Sequence, residues 1–466
     1  MKINPDIFRA YDIRGTYPDE LNEEVAFAVG KGFVTFLKKE ARIQQEELSI
    51  VVGRDMRLSS PILFEQFARG AISEGCTIID AGLITTPMLY FAVSHFGYDG
   101  GAMITASHNP NPHNGIKLTR EKAIPLGGDT GIFWIRDYVQ SMPTAAKDTE
   151  LDRRKIVKKS IEEEYLAFNL VLADVQKDEF KNFSVAVDAG NGVGGPMLTK
   201  ILQAIGATVY PLHMDPDGRF PHHVPDPLIR KNIEDLILLI KEKKPDLGVA
   251  LDGDADRIVF IDEQGEPIRG DLITALMAQI ILQQEKFRMQ QQKILYDVRS
   301  SNIVAEKVQQ FGGVPVASRI GHSLIKATMR KEDILFGGEL SGHYYWGDGL
   351  FFEVPFVVFL RILKALRERR VPFSHFIQPF QVYAHSGEIN FSVQAKEQKI
   401  AAVRAYFRTG QISELDGLRV DFPDWWFLVR SSNTEPLLRL VIEANSQELL
   451  EEKKKELAKI IEGEES

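Results

Sequence analysis

The sequence predicts an α/β protein of three similar α/β units with mixed, mainly parallel sheets and a small C-terminal α+β domain, around a central cleft. Three observations support this fold class. Strand-like and helical runs alternate from about residue 48 to about residue 375, as they do in βαβ units. Within that region, three apolar runs each end in a loop of small and polar residues. After about residue 375, the pattern is typical of antiparallel strands.

Each unit begins with the same order of elements. We predict strand, helix and strand over residues 48–53, 60–75 and 77–84, over 183–188, 196–206 and 208–212, and over 293–298, 302–311 and 314–318. Strands are predicted over 380–385, 387–393, 425–429 and 437–443, with a helix over 397–409 and another at the end. Because 466 residues exceed what one core usually organises, we predict domains over 1–150, 151–264, 265–374 and 375–466.

The composition is that of an ordinary globular protein, with 44% hydrophobic and 26% charged residues. A formal net charge of −9 argues against a general nucleic-acid binder. The single cysteine, Cys76, cannot form an internal disulfide, and no segment resembles a signal peptide or a membrane span. We therefore expect a cytoplasmic monomer or weak homo-oligomer with no nucleic-acid or membrane partner.

The first of the three loops contains a lone serine, Ser107, on a turn directly after an apolar run. Loops at the carboxyl ends of parallel strands carry the sites of α/β folds, so we expect all three loops to face one cleft. The glycines of a Gly-x-Ser-x-Gly elbow are absent, which argues against an α/β-hydrolase. A structural turn serine is the alternative, and only the second loop favours a chemical role.

The second loop offers three carboxylates at alternate positions, Asp252, Asp254 and Asp256. Carboxylates this close repel one another unless a cation lies among them, and all-oxygen ligands suit Mg²⁺. The spacing also fits an EF-hand loop, but Arg257 stands where that loop needs glycine and residues 258–261 look like a strand. Together, the two loops predict a serine that carries phosphate and a divalent metal that bridges to it.

The third loop presents Glu339 and Ser341 between glycines, an arrangement that suits two neighbouring hydroxyls of a sugar, and His343 adds a third contact. A glycine-rich surface turn is the alternative. Further on, a phosphate nest is predicted after a strand-like run, because a guanidinium, hydroxyls, an amide and successive backbone N–H groups are concentrated there. Its members are Arg430, Ser432, Asn433 and Thr434.

Other residues are single candidates for phosphate contact or proton transfer. The planar fork of Arg257 suits a phosphate oxygen. The basic N-terminal segment 9–15 and the segment 114–117 add further phosphate contacts. Lys117 and His322 are candidates for moving a proton, with a surface or core role as the alternative for each.

Together these motifs resemble the α-D-phosphohexomutase family, in the family's order and over nearly the whole chain. The resemblance is carried by residues 105–110, 252–257, 338–343 and 430–436. It implies a four-domain, heart-shaped enzyme with a central cleft. It also implies that Ser107 is phosphorylated in the active form and that one Mg²⁺ per chain is held by Asp252, Asp254, Asp256 and the phosphoserine.

The resemblance further implies reversible transfer of phosphate between O1 and O6 of a hexose. Hexose 1,6-bisphosphate would be both intermediate and activator, and it must turn end over end without leaving. Glu339 and Ser341 would then bind O3 and O4, which a half-turn exchanges. The implied catalytic residues are Ser107, Lys117, His322, Arg14 and Arg257, and the implied substrate contacts are Tyr11, Arg299, Glu339, Ser341, His343, Arg430, Ser432, Asn433 and Thr434.

Within the family, residues 339–343 resemble the phosphomannomutase/phosphoglucomutase branch. The phosphoglucosamine mutase branch usually has glutamine before the loop serine and glycine in place of Asn433, and this chain departs from both patterns. Some bifunctional relatives have an arginine near position 272, where this chain has leucine, so Arg269 or Arg299 would have to substitute. The alternatives are a phosphoglucosamine mutase and a catalytically silent sugar-phosphate-binding homologue. A metal-dependent phosphatase fits less well, because no device to position water is evident.

Overall fold

The computed structural model describes residues 3–39, 47–142, 151–284, 291–431 and 437–463. These residues form four units, each built on its own sheet. Unit I contains β1 (Ile13–Thr16), α1 (Glu23–Lys39), β2 (Leu48–Arg54), α2 (Ser60–Ser73), β3 (Cys76–Leu83), α3 (Thr86–Phe96), β4 (Gly100–Ile104), β5 (His113–Arg120), α4 (Phe133–Ser141) and β6 (Ile156–Lys158). Unit II contains α5 (Glu162–Ala173), β7 (Ser184–Asp188), α6 (Gly194–Ile205), β8 (Thr208–Leu212), α7 (Glu234–Lys243), β9 (Leu247–Leu251), β10 (Ile258–Ile261) and β11 (Pro267–Ile268).

The second half of the chain continues this alternation and then changes. Unit III contains α8 (Gly270–Leu282), β12 (Lys293–Asp297), α9 (Asn302–Gln310), β13 (Val314–Ser318), α10 (His322–Glu332), β14 (Phe336–Gly338), β15 (Tyr344–Trp346), β16 (Phe352–Glu353), α11 (Pro355–Arg369) and α12 (Phe373–Ile377). Unit IV contains β17 (Ala384–His385), β18 (Ile389–Ser392), α13 (Lys396–Tyr406), β19 (Gln411–Ser413), β20 (Leu418–Asp421), β21 (Trp425–Ser431), β22 (Leu437–Ala444) and α14 (Gln447–Glu462). In the described part of the chain, no helix is long and apolar enough to cross a membrane.

The first three sheets share one topology, which confirms the predicted likeness of the three units. Their strand orders are β1-β5-β4-β2-β3-β6, β11-β10-β9-β7-β8 and β16-β15-β14-β12-β13. In each sheet, the strand that precedes a predicted site loop (β4, β9 or β14) lies parallel to one neighbour and antiparallel to the strand that follows the loop. These loops are the serine turn (residues 105–110), the aspartate loop (252–257) and the sugar loop (338–343). They therefore occupy equivalent positions in three mixed sheets.

Two predicted domain limits fall short of the sheets they should enclose. The first sheet is completed by β6, beyond residue 150, because that strand pairs in parallel with β3. The second sheet is completed by β11, beyond residue 264, because that strand pairs with β10. In each case a short edge strand, which has little hydrophobic pattern of its own, closes the sheet before the chain passes to the next unit.

Unit IV has a sheet in which every pairing is antiparallel, as expected for the predicted α+β domain. The predicted strand over 380–385 is wrong for most of its length, since only Ala384–His385 pairs with β22. The preceding residues Gln378–Phe380 form a 3-10 turn. The proline at position 379 has a fixed φ that favours this turn, so the chain enters the predicted range in a turn rather than in a strand.

The hydrophobic core clusters show which units are joined by a common apolar interior. One core cluster runs through units I, II and III and includes Tyr90, Tyr165 and Phe356. The aromatic rings of Tyr165 and Phe356 meet with centroids 6.4 Å apart, joining α5 of unit II to α11 of unit III. Unit IV has its own core cluster around Phe427 and Leu440. Units I to III are thus joined by a shared apolar core, although unit I has a second core of its own around Phe33 and Phe67, and unit IV packs around a separate core.

Candidate active site

The serine turn meets the aspartate loop across the boundary between units I and II. Ser107 is buried and its Oγ donates a hydrogen bond to Asp252 Oδ2 at 2.7 Å. The turn is held from within, because the backbone N–H of Ser107 donates to Thr105 Oγ1 at 2.8 Å. Ser107 also has a positive φ of 51°, a left-handed conformation that costs a non-glycine residue about 1–3 kcal/mol. The surrounding contacts therefore have to keep the hydroxyl aimed at the carboxylate.

Arg57 supplies most of these contacts, and the sequence analysis missed it. Its buried guanidinium donates to the carbonyl oxygens of Ser107 (2.8 Å), Asn109 (2.6 Å) and His113 (2.9 Å). The same group pairs with the carboxylate of Asp55 at 3.0 Å. Both residues directly follow β2, a parallel strand in the same sheet as β4, so the rule used for the other loops could have found them.

The aspartate loop gathers three buried carboxylates, with ligand oxygens within 4.8 Å of one another. Asp254 Oδ1 is buried and has no hydrogen-bond partner among the described residues. Burial and the neighbouring carboxylates of Asp256 and Asp254 raise the pKa of Asp252 well above its ordinary value. The mutual repulsion of these carboxylates and the unused oxygen of Asp254 fit a divalent cation with oxygen ligands, as the sequence predicts.

The two loops can approach closely because Gly253 has no side chain. A Cβ atom at this position would lie 2.5 Å from the carbonyl oxygen of Ser107. The N-terminus of α3 also contacts the aspartate loop, since Thr86 Oγ1 donates to Asp254 Oδ2 at 2.6 Å and the Thr86 N–H donates to the Asp254 carbonyl at 3.0 Å. The aspartate loop therefore rests on unit I at several points.

Lys117 reaches the aspartate cluster from β5. Its Nζ donates to Asp254 Oδ2 at 2.6 Å and to Asp256 Oδ2 at 2.5 Å. Burial would lower the pKa of Lys117, but the carboxylates of Asp254 and Asp256 raise it well above its ordinary value. Lys117 is thus held as an ammonium group, a counter-ion to both aspartates.

The sugar loop is fixed by a network around His343. The imidazole Nε2 lies 3.2 Å from Asp256 Oδ1, and Nδ1 lies 3.0 Å from Ser341 Oγ and 3.2 Å from Glu339 Oε1. Burial lowers the pKa of His343, but Asp256 and Glu339 raise it to about 9. Nε2 is also 3.3 Å from Arg257 Nε, but a protonated Nε2 donates to Asp256 and cannot accept from arginine. His343 therefore joins the sugar and aspartate loops as a cation.

Glu339 is ionised and oriented inside this loop. Burial raises its pKa, but His343, Arg299 and Tyr345 lower it to about 2. The hydroxyl of Tyr345 donates to Oε1, and the guanidinium of Arg299 lies 3.5 Å from Oε2. The loop backbone needs glycine at position 342, where φ is 84° and a Cβ atom would lie 2.9 Å from the Ile258 carbonyl oxygen. The carboxylate is therefore held in one orientation beside Ser341.

Three arginines surround one carboxylate where units III and IV meet. Glu388 Oε2 lies 3.1 Å from Arg430 and 3.5 Å from Arg299, and Oε1 lies 2.9 Å from Arg439. Sequence reasoning missed Glu388 and Arg439, because no local pattern connects them with Arg299. Of the predicted phosphate nest, Arg430 lies in this group, whereas Ser432, Asn433 and Thr434 lie outside the described residues.

The N-terminal candidates divide between the serine turn and unit III. Arg14 Nη1 donates to Asn109 Oδ1 at 2.6 Å, so it contacts the serine turn. The Tyr11 hydroxyl donates to the Ile320 carbonyl at 3.1 Å, and its ring lies 5.9 Å from that of His322. His322 Nδ1 is buried without a hydrogen-bond partner among the described residues. Burial and the charges of Lys326 and Lys117 lower the pKa of His322 well below its ordinary value, so this imidazole is neutral.

We call Arg299, Arg430 and Arg439, which surround Glu388, the arginine group. The sugar loop and the arginine group face one open cavity of about 620 Å³. Its wall includes Ser341 and Arg299 of unit III, Glu388 of unit IV, and Arg230 of unit II, with Arg269 where units II and III join. A volume in this range is typical of small-molecule sites. The predicted residues are thus brought together in two neighbouring groups, one around Ser107 and the aspartates and one around this cavity.

Three mixed α/β units that aim equivalent loops at one site, followed by an antiparallel domain with an arginine group, define the phosphohexomutase class of fold. The chain belongs to the phosphoglucomutase/phosphomannomutase family. The family's alpha/beta/alpha domains I, II and III match residues 5–144, 163–265 and 269–383, and its C-terminal domain matches residues 388–460.

Individual relatives match over nearly their whole length. The phosphomannomutase of Methanocaldococcus jannaschii is 36% identical over 458 residues, covering 98% of this chain and 97% of the relative. That of Vibrio cholerae is 35% identical, covering 97% and 98%. A solved phosphoglucomutase/phosphomannomutase family protein from Burkholderia thailandensis has a TM-score of 0.86 at 30% identity, with 100% and 99% covered. The Aspergillus fumigatus N-acetylphosphoglucosamine mutase, solved with GlcNAc-6P and magnesium, covers 99% and 96% at a TM-score of 0.63 and shares the fold at 14% identity.

Proposed function

We propose that the protein reversibly transfers phosphate between O1 and O6 of hexose phosphates, with mannose, glucose or both as the sugar. Ser107 carries phosphate in the active form, and hexose 1,6-bisphosphate is the intermediate. One observation carries this proposal: Ser107 Oγ lies 2.7 Å from Asp252 Oδ2, in a buried group of three aspartates. Two relatives at 35–36% identity are named phosphomannomutase, which supports the same class of reaction.

The reaction needs two phosphoryl transfers that mirror each other. In the first, a sugar hydroxyl attacks the phosphorus on Ser107, so a new O–P bond forms and the Ser107 Oγ–P bond breaks. The hydroxyl proton passes to a base, and Ser107 Oγ takes up a proton as it leaves. After the bisphosphate has turned, Ser107 Oγ loses that proton and attacks the phosphorus of the other phosphate. The Ser107 Oγ–P bond forms again, the sugar O–P bond breaks, and the sugar oxygen takes up a proton as it leaves. Neutral His322, with its buried and unused Nδ1, is the base we assign.

The charged residues of the site favour this chemistry. When bound to Asp252, Asp254, Asp256 and the phosphorylated Ser107, Mg²⁺ supplies positive charge that stabilises the transferring group. Lys117 and Arg257 add fixed positive charge beside the aspartates. The carboxyl and hydroxyl groups of Glu339 and Ser341 bind O3 and O4 in either orientation of the intermediate.

The arginine group receives the phosphate that is not being transferred. Arg299 and Arg430 both face Glu388, so two guanidinium groups already point at one anionic oxygen, Oε2. A phosphate offers more oxygen acceptors than a carboxylate and suits the same donors. Arg269 borders the same cavity and is the second candidate for the arginine that some relatives have near position 272.

A substrate panel with site variants tests the proposal. Mannose, glucose and glucosamine phosphates are assayed with Mg²⁺ and a bisphosphate activator, and intact mass reports phosphate on the protein. We expect turnover of mannose or glucose phosphates, loss of it in Ser107→Ala, and normal turnover in Ser73→Ala, whose hydroxyl donates only to a carbonyl at the end of α2. Full activity of Ser107→Ala refutes the mechanism. Turnover of glucosamine phosphate alone indicates a phosphoglucosamine mutase. If the protein has been primed with a hexose bisphosphate and still shows neither turnover nor bound phosphate in its intact mass, it is a silent homologue.

A further inference from the structure

Unit II contains a second cluster of side chains of the types that bind metals, apart from the three aspartates. Asp188 ends β7, His213 directly follows β8, and His223 lies ten residues further on. Each offers one ligand atom, and these atoms lie within 4.8 Å of one another. We propose that Asp188, His213 and His223 bind a late first-row divalent cation, with Zn²⁺ as the representative ion.

The carboxylate of Asp188 is the centre of this group. It is buried, and its two oxygens face different imidazoles: Oδ1 lies 3.1 Å from His213 Nδ1, and Oδ2 lies 3.1 Å from His223 Nε2. The side chains of His213 and His223 are only 9% and 14% exposed. The three potential ligands therefore form one largely enclosed cluster around this carboxylate.

The hydrogen bond at the far side of His223 identifies which of its nitrogens is available. His223 Nδ1 lies 2.9 Å from the Val224 carbonyl oxygen, which can only accept a hydrogen bond. Nδ1 therefore donates to that carbonyl, and Nε2 is the nitrogen directed at Asp188 Oδ2, 3.1 Å away. A histidine that donates one N–H to a backbone carbonyl and uses the other nitrogen as ligand is usual at metal sites.

The ligand types select a different metal from that of the aspartate loop. Two imidazole nitrogens and one carboxylate suit Zn²⁺, Co²⁺ or Ni²⁺, whereas three carboxylates suit Mg²⁺. His222 has another role, because its Nδ1 lies 2.8 Å from Asn191 Oδ1 and its ring stacks on His213 at 4.0 Å. This stacking orients the His213 ring.

The segments that carry Asp188, His213 and His223 also make contacts that support the serine turn. In the segment that follows Asp188, the Val193 N–H donates to the Gly253 carbonyl oxygen at 3.0 Å. Between His213 and His223, the Gly218 carbonyl accepts from Asn111 Nδ2 at 2.7 Å. A cation that ties these two segments together stabilises the surface of unit II on which the serine turn rests. We therefore expect the bound metal to raise the thermal midpoint rather than to take part in transfer.

The test uses the full chain, stripped with a chelator and then kept in excess Mg²⁺. Zn²⁺ is titrated in competition with a chromophoric chelator, and Co²⁺ is added separately for its visible absorption. The variants are His223→Gln, His213→Gln, Asp252→Asn to remove the aspartate site, and exposed His375→Gln as the control. We expect one tight Zn²⁺ and a tetrahedral-type Co²⁺ spectrum in wild type, Asp252→Asn and His375→Gln. Binding should weaken by at least about tenfold in either ligand variant.

Several results would overturn the inference. They are wild-type protein that binds no Zn²⁺, wild-type affinity in both ligand variants, or zinc binding that is lost in Asp252→Asn. The first would mean that a proton, not a metal, lies between His223 and Asp188. Circular dichroism checks that the variants are folded. The two ligand variants change different segments, so the misfolding of one leaves the other as a complete test.

Discussion

Arg57 gives the sharpest test of how the serine turn is held. Its guanidinium donates to the carbonyl oxygens of Ser107, Asn109 and His113 at 2.6–2.9 Å. Arg57→Lys keeps a positive charge beside Asp55, but a single ammonium cannot reach acceptors that lie on both ends of the fork. We expect about two of the three bonds to be lost. Because hydrogen bonds from charged donors contribute about 1.5–3 kcal/mol each, the turn loses about 3–6 kcal/mol.

That loss should affect catalysis more than substrate binding. The left-handed conformation of Ser107 is opposed by the backbone's own preference, so a released turn relaxes and moves Oγ away from Asp252. A displacement of about 1 Å at a reacting atom costs on the order of 100-fold in rate. The contacts proposed for the sugar and its second phosphate lie on other loops. We therefore expect kcat to fall about 100-fold with KM nearly unchanged.

The assay measures kcat and KM with hexose phosphates, the phosphorylated fraction by intact mass, and the thermal midpoint. Arg54→Lys is the matched control, because Arg54 ends the same strand and pairs with Asp80 at 2.8 Å while 22% exposed. A partly exposed pair of this kind contributes about 1 kcal/mol or less, so this variant should keep wild-type kcat. Wild-type kcat in Arg57→Lys, or equal losses in both variants, would refute the reasoning.

Three further predictions concern other parts of the site. Gly253→Ala should lower kcat at least about tenfold, because its Cβ would lie 2.5 Å from the Ser107 carbonyl oxygen and push the turn away from the metal ligands. Burial and the charge of Arg269 lower the pKa of His385 to about 4, below its unfolded value near 6.5. Only the unfolded chain is therefore protonated between pH 6.5 and pH 4, so stability should fall by about 3 kcal/mol as the pH drops through this window. Glu388→Gln should lower KM for hexose phosphates several-fold, because an internal carboxylate no longer competes with phosphate for Arg430.

Each of these predictions has its own measurement and control. Steady-state kinetics test Gly253→Ala, which fails as a prediction if kcat stays within twofold of wild type. Thermal melts from pH 4 to pH 7 test His385, and His385→Asn should show a flatter profile; an unchanged profile would contradict the assignment. For Glu388→Gln, Glu414→Gln is the control, since Glu414 pairs with Arg404 on the surface. A raised KM in Glu388→Gln would show that the carboxylate orients the arginines instead.

The sequence predicted those candidate site residues that lie in a loop directly after a strand. Ser107, the three aspartates and Glu339 each follow a strand that the hydrophobic pattern reveals, and equivalent strands end at equivalent edges. Arg57 follows such a strand too, so the same rule could have marked it as a candidate, but nothing local shows that its side chain contacts a loop 50 residues away. The contact of Glu388 with Arg299 depends on how unit IV docks on unit III, and its contacts with Arg430 and Arg439 depend on strand pairing within unit IV. No local pattern encodes either of these.

The division of the cores indicates which part of the site can move. Ser107, Lys117 and Thr86 of unit I all bond to the aspartates of unit II, and both units share one apolar interior. Unit IV joins the rest through a small apolar patch that pairs Val298 with Trp426 and through ion pairs such as Glu388 with Arg299. Polar contacts of this kind exchange with water at little cost, whereas separation of a shared core exposes apolar surface. The transfer centre should therefore stay rigid while unit IV opens to let the sugar phosphate enter and turn.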